Sequence, residues 1–278
     1  MTHIRFLHVG PEDGPHANFR DLWMPASEAQ GTSAWESVDV RLPLVELQAK
    51  VDFLLKRDRP RVLVTHWEGA ERILPWVTYR RSVRLVCHRY SVRPMPLRMA
   101  HRMLYSMVRT FVVPQGGLVE FVRAAGVDDS RIEAFPMCPS GLQMQEPKGI
   151  VLGILPAASA KILKVRTYVE KRHPQVTILE GTAEELIPIA SILLDLGEGL
   201  EVQRSYLDAL AAGRCVLVPD SDLFRSLYGN RVRYFRWEQL LPQLRDLFIE
   251  LPSSEKIDCA GREAAVESIG SAYRRAAA

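Results

Sequence analysis

Short apolar runs alternate with helix-like segments along the whole of this sequence. The clearest apolar runs lie at residues 4–9, 61–65, 84–87, 110–113, 149–155, 191–196 and 215–218. Between two of these runs, Leu44, Leu47, Val51 and Leu54 recur at a spacing that places them on one helix face. Strands that alternate with helices are typical of parallel sheets joined by right-handed crossovers. The pattern therefore predicts an α/β fold.

The length favours two such sheets over one. The chain has 278 residues, enough for two lobes of about 130–140 residues each. A polar stretch with proline and glycine, residues 139–148, is the best linker candidate. We predict two Rossmann-like doubly wound lobes that face a cleft, residues 1–140 and 149–256. A helix over 257–278 follows, for which a crossing back to the first lobe is one option. The cleft is the expected ligand site.

Two local assignments fall near the start of the first lobe. A helix is predicted over residues 18–30, and Gly31 closes it at the position where helices commonly end in glycine. Residues 38–42 alternate between apolar and polar side chains, which predicts a strand.

Arginines are concentrated in one part of the first lobe. No Asp or Glu occurs between Glu71 and Glu120, and this window carries a charge of +9 from Arg72, Arg80, Arg81, Arg84, Arg89, Arg93, Arg98, Arg102 and Arg109. Such a field attracts phosphate, acidic lipid headgroups or nucleic acid. The alternative is that these arginines pair with acids from elsewhere in the fold.

Several classes of protein are disfavoured by what the sequence lacks. No apolar run approaches the roughly 18–20 residues that span a bilayer, and the first residues do not have the pattern of a secretion signal. Cys87, Cys138, Cys215 and Cys259 are scattered without metal-ligand spacing. We therefore expect a cytoplasmic protein with reduced thiols and no bound metal, and leave a peripheral association with the inner face of the membrane open.

One segment carries most of the functional information. Residues 204–218 read Arg-Ser-Tyr-Leu-Asp-Ala-Leu-Ala-Ala-Gly-Arg-Cys-Val-Leu-Val. This block resembles the nucleotide-sugar-binding helix of group-1, family-4-like glycosyltransferases of the GT-B fold. The resemblance implies that Asp208 holds the ribose hydroxyls of a nucleotide sugar. The family's upstream acid would fall at Leu200, so Glu198 or Glu201 takes its place here.

Weaker matches lie in the correct order along the rest of the chain. Residues 59–67, 86–88 and 126–136 are similar to first-lobe motifs of the same family, and the first two contain His66 and His88. After Gly153 the family has a loop with Arg and Lys. In this sequence the Arg is missing and Lys161 is the nearest basic residue.

The resemblance implies a set of site residues. A departing diphosphate needs its negative charge stabilised, which helix N-terminal N–H groups and a Lys or Arg can do without a metal. Lys161 and Arg204 are assigned to the diphosphate, and His66, His88 and Lys161 are the catalytic candidates. The donor-binding candidates are Ser159, Gly197, Glu198, Gly199, Glu201, Arg204, Ser205 and Asp208. The acceptor-side candidates are Gly10, Gly14, His16, Arg89 and Arg93.

Three functions remain open from the sequence. The first is a glycosyltransferase, retaining and metal-independent, that uses a nucleotide-diphosphate sugar as donor and needs no cofactor. Its acceptor is unidentified, with an anionic or membrane-surface acceptor suggested by the arginines. The second is a catalytically silent GT-B binding module that uses the arginine-rich lobe. The third, less favoured, is a glycosyltransferase acting on modified DNA bases, the only one of the three that requires nucleic acid as a partner.

Overall fold

The chain divides into two compact units in its structure, a computed structural model. Residues 4–12, 17–92, 99–140, 147, 149–250 and 261–278 are described. Unit 1 comprises Met1–Met137 together with Gly261–Ala278, and unit 2 comprises Cys138–Ala260. None of the helices within these described ranges is long and apolar enough to span a bilayer.

Unit 1 contains a sheet of six strands in the order β2-β1-β3-β4-β5-β6, and every pair is parallel. The strands are β1 (Arg5–Gly10), β2 (Thr32–Ser37), β3 (Val62–Thr65), β4 (Arg84–His88), β5 (Thr110–Pro114) and β6 (Ile132–Phe135). The inner strands β3 and β5 are buried at every residue. Such buried, nearly continuous apolar strands are expected in a parallel sheet covered by helices on both faces.

In the described residues, six α-helices lie in the connections between these strands. They are α1 (Arg20–Glu28), α2 (Leu44–Asp58), α3 (Ala70–Ile73), α4 (Pro75–Arg80), α5 (Met99–Met107) and α6 (Gly117–Ala124). The longest, α2, buries Leu47, Val51, Leu54 and Leu55 on one face, as the apolar spacing predicts. It ends where Arg59 adopts a left-handed conformation with φ of 44°.

Unit 2 contains a second parallel sheet, with five strands in the order β11-β10-β9-β7-β8. Its strands are β7 (Val151–Ile154), β8 (Thr177–Glu180), β9 (Ile192–Leu194), β10 (Cys215–Pro219) and β11 (Arg233–Phe235). Its helices are α7 (Ser159–Arg172), α8 (Ala183–Leu186), α9 (Ser205–Ala211), α10 (Asp222–Tyr228) and α11 (Leu240–Ile249). Leu152, Ile192 and Leu217 are fully buried in its core.

The last helix, α12 (Arg262–Ala277), belongs to unit 1. It packs mainly against α1 and β6, with further contacts to β4 and β5. Its buried face includes Ile269, Gly270 and Tyr273. The sheet of unit 1 is therefore covered in part by residues from the far end of the sequence.

The strand order of unit 2 locates a place where a ligand can bind. Strands β8 and β9 lie on opposite sides of β7, so the connections after β7 and after β9 diverge. In open parallel sheets a crevice forms outside the carboxyl ends of the strands at such a point. The two parallel sheets confirm the predicted α/β class.

Two local predictions in the first lobe need correction. The strand predicted over 38–42 is wrong, because the strand lies at Thr32–Ser37, where it pairs with β1 at the edge of the sheet. An edge strand buries little of either face, so its sequence carries no apolar alternation. Helices α3, α4 and α5 were not predicted, and α3 and α4 are too short to show a helical period.

Candidate functional site

A depression of about 330 Å³ lies at the carboxyl edge of the unit 2 sheet. Its lining comes from the segments that follow three neighbouring strands and from α7: Lys161, Leu196, Gly197, Pro219, Asp220, Phe235, Arg236, Trp237 and Glu238. We call this the carboxyl-edge depression. The carboxyl ends of adjacent parallel strands are the usual place for a ligand in such folds. Two predicted site residues, Lys161 and Gly197, meet there.

Lys161 lies at the start of α7, beside the depression. Its Nζ donates a hydrogen bond to the carbonyl oxygen of Leu196 at 3.0 Å and lies 5.9 Å from the centre of the Trp237 ring. An ammonium has three N–H donors, so this geometry orients the charge and leaves donors for a ligand. Attraction between the ammonium and the electron-rich face of the indole ring also helps to hold the side chain in this position.

The first turn of α7 has no side-chain cap. Ala158 occupies the N-cap position; its carbonyl accepts from the N–H groups of Lys161 and Ile162, but its methyl side chain cannot accept from the N–H groups that precede them in the first turn. Ser159, the first helical residue, is exposed. Free N–H groups and the helix dipole make such a terminus attractive to an anion. Lys161 and the α7 terminus thus both place positive potential at the carboxyl edge of the unit 2 sheet.

A carboxylate flanked by arginines forms the other side of the depression. Asp220 accepts a hydrogen bond from Arg225 Nε at 2.5 Å, and Arg236 Nε lies 3.6 Å from its second oxygen. The hydrogen bond from Arg225 lowers the pKa of Asp220, and the charges of both arginines add to that effect. The carboxylate therefore stays ionised at neutral pH.

The turn after β9 is organised by a residue that the sequence analysis missed. Asp195 accepts hydrogen bonds from the Gly197 N–H at 2.7 Å and from the Tyr206 hydroxyl. Burial, together with the neighbouring carboxylate, raises the pKa of Tyr206 well above its usual value, so the phenol remains a donor. Gly199 has φ of +67°, which few side chains tolerate, and its carbonyl accepts from Ser221 Oγ.

The helix α9 that carries the family-like block is buried along most of its length. Arg204 is 0% exposed and donates to the carbonyl oxygens of Cys138 and Pro139 at 2.7 and 2.8 Å. Both carboxylate oxygens of Asp208 accept from Ser140, at 2.6 Å from its N–H and 2.8 Å from its hydroxyl. These contacts hold residues 138–140 against α9.

The placement of Arg204 corrects the role predicted for it. A guanidinium that is fully buried and bonded to backbone carbonyls does not point toward a diphosphate, so its part in this structure is to hold the chain. Neither Arg204 nor Asp208 lines the carboxyl-edge depression. The contact of Asp208 with a ribose stays a prediction.

The two histidines predicted as catalytic candidates lie in unit 1 and are buried. The rings of His66 and His88 are 4.5 Å apart between centroids. His66 Nε2 shares a hydrogen bond of 3.0 Å with His8 Nδ1. The two nitrogens of His88 contact the hydroxyls of Tyr90 and Tyr273 at 2.9 and 2.8 Å. With both nitrogens of His88 engaged, this arrangement argues against a direct catalytic role for that residue.

The acceptor-side candidates are only partly described. Gly14, His16 and Arg93 lie outside the described residues. Gly10 ends β1, and a Cβ there would lie 2.8 Å from the Trp35 ring, so close packing explains the glycine. Arg89 is buried and donates to Glu71 at 3.3 Å, which makes it part of an internal ion pair.

The remaining donor-site candidates lie in the segment before α9 and in the first turn of that helix. Glu198 is exposed and Glu201 is half-buried in the segment that precedes α9, whereas Ser205 is buried in the first turn of that helix. Within the described part of the chain, no group of three or more His, Cys, Asp and Glu side chains is arranged to hold a metal ion.

Sequence reasoning also missed Asp220 and Trp237 as site residues. Each follows an apolar run, and the carboxyl end of a buried parallel strand is itself a signal of a ligand site. The signal is weak at β11, because that strand has only three residues.

Two parallel α/β sheets in consecutive units, with the last helix returning to the first unit, define the GT-B fold. A glycosyltransferase from Rickettsia africae ESF-5 has a similar structure, with 10% identity, a TM-score of 0.62, and coverage of 100% of this chain and 96% of that one. HepE from Anabaena, solved with UDP-glucose, has 11% identity and a TM-score of 0.63 over 99% and 97% of the two chains.

A third similar structure is a UDP-N-acetylglucosamine 2-epimerase from Rickettsia bellii, with 8% identity and a TM-score of 0.61 over 99% and 96% of the chains. No protein-family model matches the sequence, and no curated protein sequence matches it. The similarity to these structures therefore establishes the fold, and function has to be argued from the site.

Proposed function

We propose that this protein is a glycosyltransferase that binds a nucleotide-diphosphate sugar at the carboxyl-edge depression of unit 2. The observation that carries the proposal is the position of Lys161, held by Leu196 and Trp237 beside the uncapped start of α7. The similar structures include HepE, whose complexes contain UDP and UDP-glucose. The shared fold supports the proposal because it makes a nucleotide-sugar site in unit 2 a reasonable expectation.

The chemistry follows from the charge that sugar transfer produces. As the bond between the sugar and the diphosphate breaks, negative charge develops on the departing phosphate oxygens. Lys161 and the free N–H groups of α7 are fixed donors that stabilise this charge without rearranging. We therefore propose a metal-independent transfer, and retention of configuration is carried over from the resembling family.

The indole of Trp237 is proposed to contact the nucleotide base. Trp237 is half-buried and lines the depression, and the ammonium groups of Lys161 and Lys164 lie 5.9 and 5.2 Å from the centre of its ring. Stacking of a base on an aromatic side chain contributes about 1–3 kcal/mol and tolerates different bases. This contact supports binding of a nucleotide and leaves its identity open.

The acceptor is proposed to be anionic or presented at a membrane surface. Unit 1 exposes the aromatic side chains of Trp76 and Tyr79 on α4, next to exposed Arg80. Aromatic rings beside cations suit the interface of an anionic bilayer. Sedimentation with two kinds of vesicle, one of anionic phosphatidylglycerol and one of neutral phosphatidylcholine, tests whether the protein prefers an anionic membrane surface. Equal binding to both vesicle types would contradict it.

The experiment that tests the donor site measures nucleotide binding. UDP, GDP and ADP are titrated against the wild-type protein and against Lys161→Gln, with thermal unfolding and calorimetry as readouts. A diphosphate at one hundred times its Kd stabilises the folded state by about 2.7 kcal/mol. Loss of one charge-assisted hydrogen bond of about 1.5–3 kcal/mol weakens binding at least about tenfold in the variant.

A matched control lies on the same helix. Lys171→Gln removes the same charge from the far end of α7, where the side chain is exposed and does not line the depression. It is expected to bind like the wild type. If none of the three nucleotides stabilises the protein at millimolar concentration, the proposal fails.

A catalytically silent binding module is the second candidate. The observation that favours it is the engagement of Asp208 by Ser140, together with the burial of His66 and His88. Incubation with UDP-glucose or UDP-N-acetylglucosamine separates the two candidates. An enzyme releases UDP, even slowly onto water, and Asp208→Asn reduces that rate. A binding module holds the nucleotide sugar intact.

A further inference from the structure

A second depression lies in unit 1, at the amino ends of strands β4, β5 and β6. It has a volume of about 340 Å³ and is lined by Arg84, Arg109 and Arg131, with an apolar part that includes Pro75, Val83 and Met107. We call it the arginine depression. None of its lining residues is acidic within the described part of the chain.

The sheet register explains why the three arginines meet. Arg84 is the first residue of β4, Arg109 immediately precedes β5, and Arg131 immediately precedes β6. These three strands are adjacent and parallel, with Val86 opposite Thr110 and Phe111 opposite Ile132. Neighbouring strands are about 4.8 Å apart, so the amino ends of the three strands bring the arginines to one edge.

Two of the guanidinium groups are held in place by backbone carbonyls. Arg84 donates one hydrogen bond to the carbonyl of Ala276 in α12 at 3.0 Å, and Arg131 donates to the carbonyl of Ser106 at the end of α5. Each guanidinium has five N–H donors, so most of their donors remain for a ligand. Arg109 is exposed and makes no side-chain hydrogen bond or ion pair with the described residues.

The acids nearest these arginines line no part of the depression and bond to other groups. Hydrogen bonds from Ser130, and with them the charge of Arg131, lower the pKa of Asp128, which is the one of these acids that acts on an arginine of the depression among the described residues. Glu133 on β6 pairs with Arg275, and Asp129 pairs with Arg123 at 2.8 Å. Three positive charges thus line one depression whose described lining holds no carboxylate, and an anion bound there relieves their mutual repulsion. Forked guanidinium donors match the oxygens of a phosphate group better than a single ammonium does.

We propose that the arginine depression is a phosphate-binding site for a phosphomonoester, carried either by a soluble molecule or by a lipid headgroup. It lies at the amino edge of the unit 1 sheet, whereas the proposed donor site lies in unit 2, and it does not depend on the nucleotide proposal. Its ligand would be a regulator or an additional point of attachment, because the residues named for sugar transfer lie outside it.

Inorganic phosphate and lipid vesicles are the two probes of the experiment. Binding of phosphate is measured by calorimetry and thermal unfolding at constant ionic strength, with chloride as the competing anion. Vesicles of phosphatidylcholine with and without phosphatidic acid test the lipid form. Arg109→Gln and Arg131→Gln are each expected to weaken binding about tenfold or more, as loss of a charge-assisted contact does.

A control and a charge reversal make the outcome decisive. Arg41→Gln removes an exposed arginine from the segment between β2 and α2, outside the depression, and should leave binding unchanged. Arg109→Glu should raise the melting temperature without phosphate, because it places a carboxylate between two arginines, and should abolish the phosphate effect.

Binding of free phosphate that is lost in the variants supports a soluble ligand. Binding only to phosphatidic acid vesicles, lost in the same variants, supports a lipid headgroup. If neither probe binds, or if Arg109→Gln and Arg41→Gln behave alike, the proposal is overturned.

Discussion

At the level of single residues, Arg204 and His8 are buried polar groups whose surroundings determine how the protein responds to mutation and to pH. Arg204 reaches two backbone carbonyls of residues 138–139 from the start of α9. His8 is fully buried in β1, where its ring stacks on Trp23 and its Nδ1 shares a hydrogen bond with His66. Arg204 leads to a prediction about mutation, and His8 leads to one about pH.

Replacing Arg204 should destabilise unit 2. The variant Arg204→Met keeps much of the side-chain volume but leaves buried carbonyl groups without donors, a loss of about 1–3 kcal/mol for each unsatisfied group. We expect a decrease of about 3 kcal/mol in the free energy of unfolding, measured by urea denaturation. Arg172→Met, an exposed site at the end of α7, is the control and should change it by less than about 0.5 kcal/mol. An equal effect at both sites would contradict the structural role of Arg204.

Unit 1 should lose stability as the pH falls, because of His8. Burial lowers the pKa of His8 from 6.5 to about 3, and the charge of Arg20 adds to this. Between these values the unfolded chain binds a proton that the folded chain does not, so the folded state is favoured less at lower pH. Each pH unit below 6.5 costs about 1.4 kcal/mol, or about 2 kcal/mol by pH 5.

Urea midpoints between pH 7.5 and 5 measure this effect. His8→Asn, which keeps a polar group near the Nδ1 position, should flatten the dependence, whereas His173→Gln in unit 2 should not. A wild-type profile that is flat over this range would show that His8 is not buried in its neutral form.

The sequence predicted those site residues that belong to the family-like pattern and also lie at the carboxyl edge of the sheet. Lys161 and Gly197 follow from a glycosyltransferase-like pattern, and both line the carboxyl-edge depression. Arg204 belongs to the same pattern, yet its side chain turns inward to residues 138–139. The direction of a side chain depends on segments distant in sequence, here residues 138–140, and a local motif does not encode it. Asp195 was missed for the same reason, since its partner Tyr206 lies on the next helix.

At the level of elements, the strands that the sequence predicts best are those buried on both faces of the sheet. Strands β3, β5 and β10 are nearly continuous apolar runs and were predicted within one residue of their bounds. Strand β2 has an exposed or half-buried side chain at every position, so nothing in its pattern separates it from a loop. Helices α3 and α4 have four and six residues, which is less than two turns. Their position depends on packing against α5.

The turn between α1 and β2 should be intolerant of any side chain at Gly31. A Cβ there would overlap the carbonyl oxygen of Ile4. Because that atom belongs to the backbone, the clash is not relieved by a rotamer change, and Gly31→Ala should cost about 2 kcal/mol or more.

A second glycine, Gly270, is expected to stabilise the fold when it is replaced by alanine. Gly270 lies within α12, and a Cβ there would make ordinary contacts of 3.6 Å with Gln30 and 3.7 Å with the Ala26 carbonyl. Gly270→Ala should therefore stabilise the fold by about 0.5–1 kcal/mol, the gain of alanine over glycine in a helix. Thermal unfolding of both variants measures the pair, and a Gly31→Ala protein as stable as the wild type would refute the clash.

At the level of the whole molecule, one unit is assembled from two distant parts of the sequence. Helix α12 completes unit 1, where Tyr273 lies 5.6 Å from the ring of Phe6 and contacts His88 through its hydroxyl. Unit 2 has its own apolar core, which includes Leu194, Leu217 and Leu247. Compact units with separate cores can open separately, and amide exchange reports such openings locally.

Removing α12 should therefore loosen unit 1 and spare unit 2. In a chain that ends at residue 260, the amides of β1, β4 and β5 should exchange at least about a hundredfold faster, since losing even two buried side chains costs more than about 3 kcal/mol. The amides of β9 and β10 should keep their protection. Leu247→Ala in α11 is the reciprocal variant, with an expected loss of about 2–5 kcal/mol confined to unit 2. Because each change touches one core only, the pair of exchange maps should be complementary. If both sheets lose protection together in both variants, the two cores unfold as one cooperative unit, and α12 stabilises the whole chain instead of the sheet it covers.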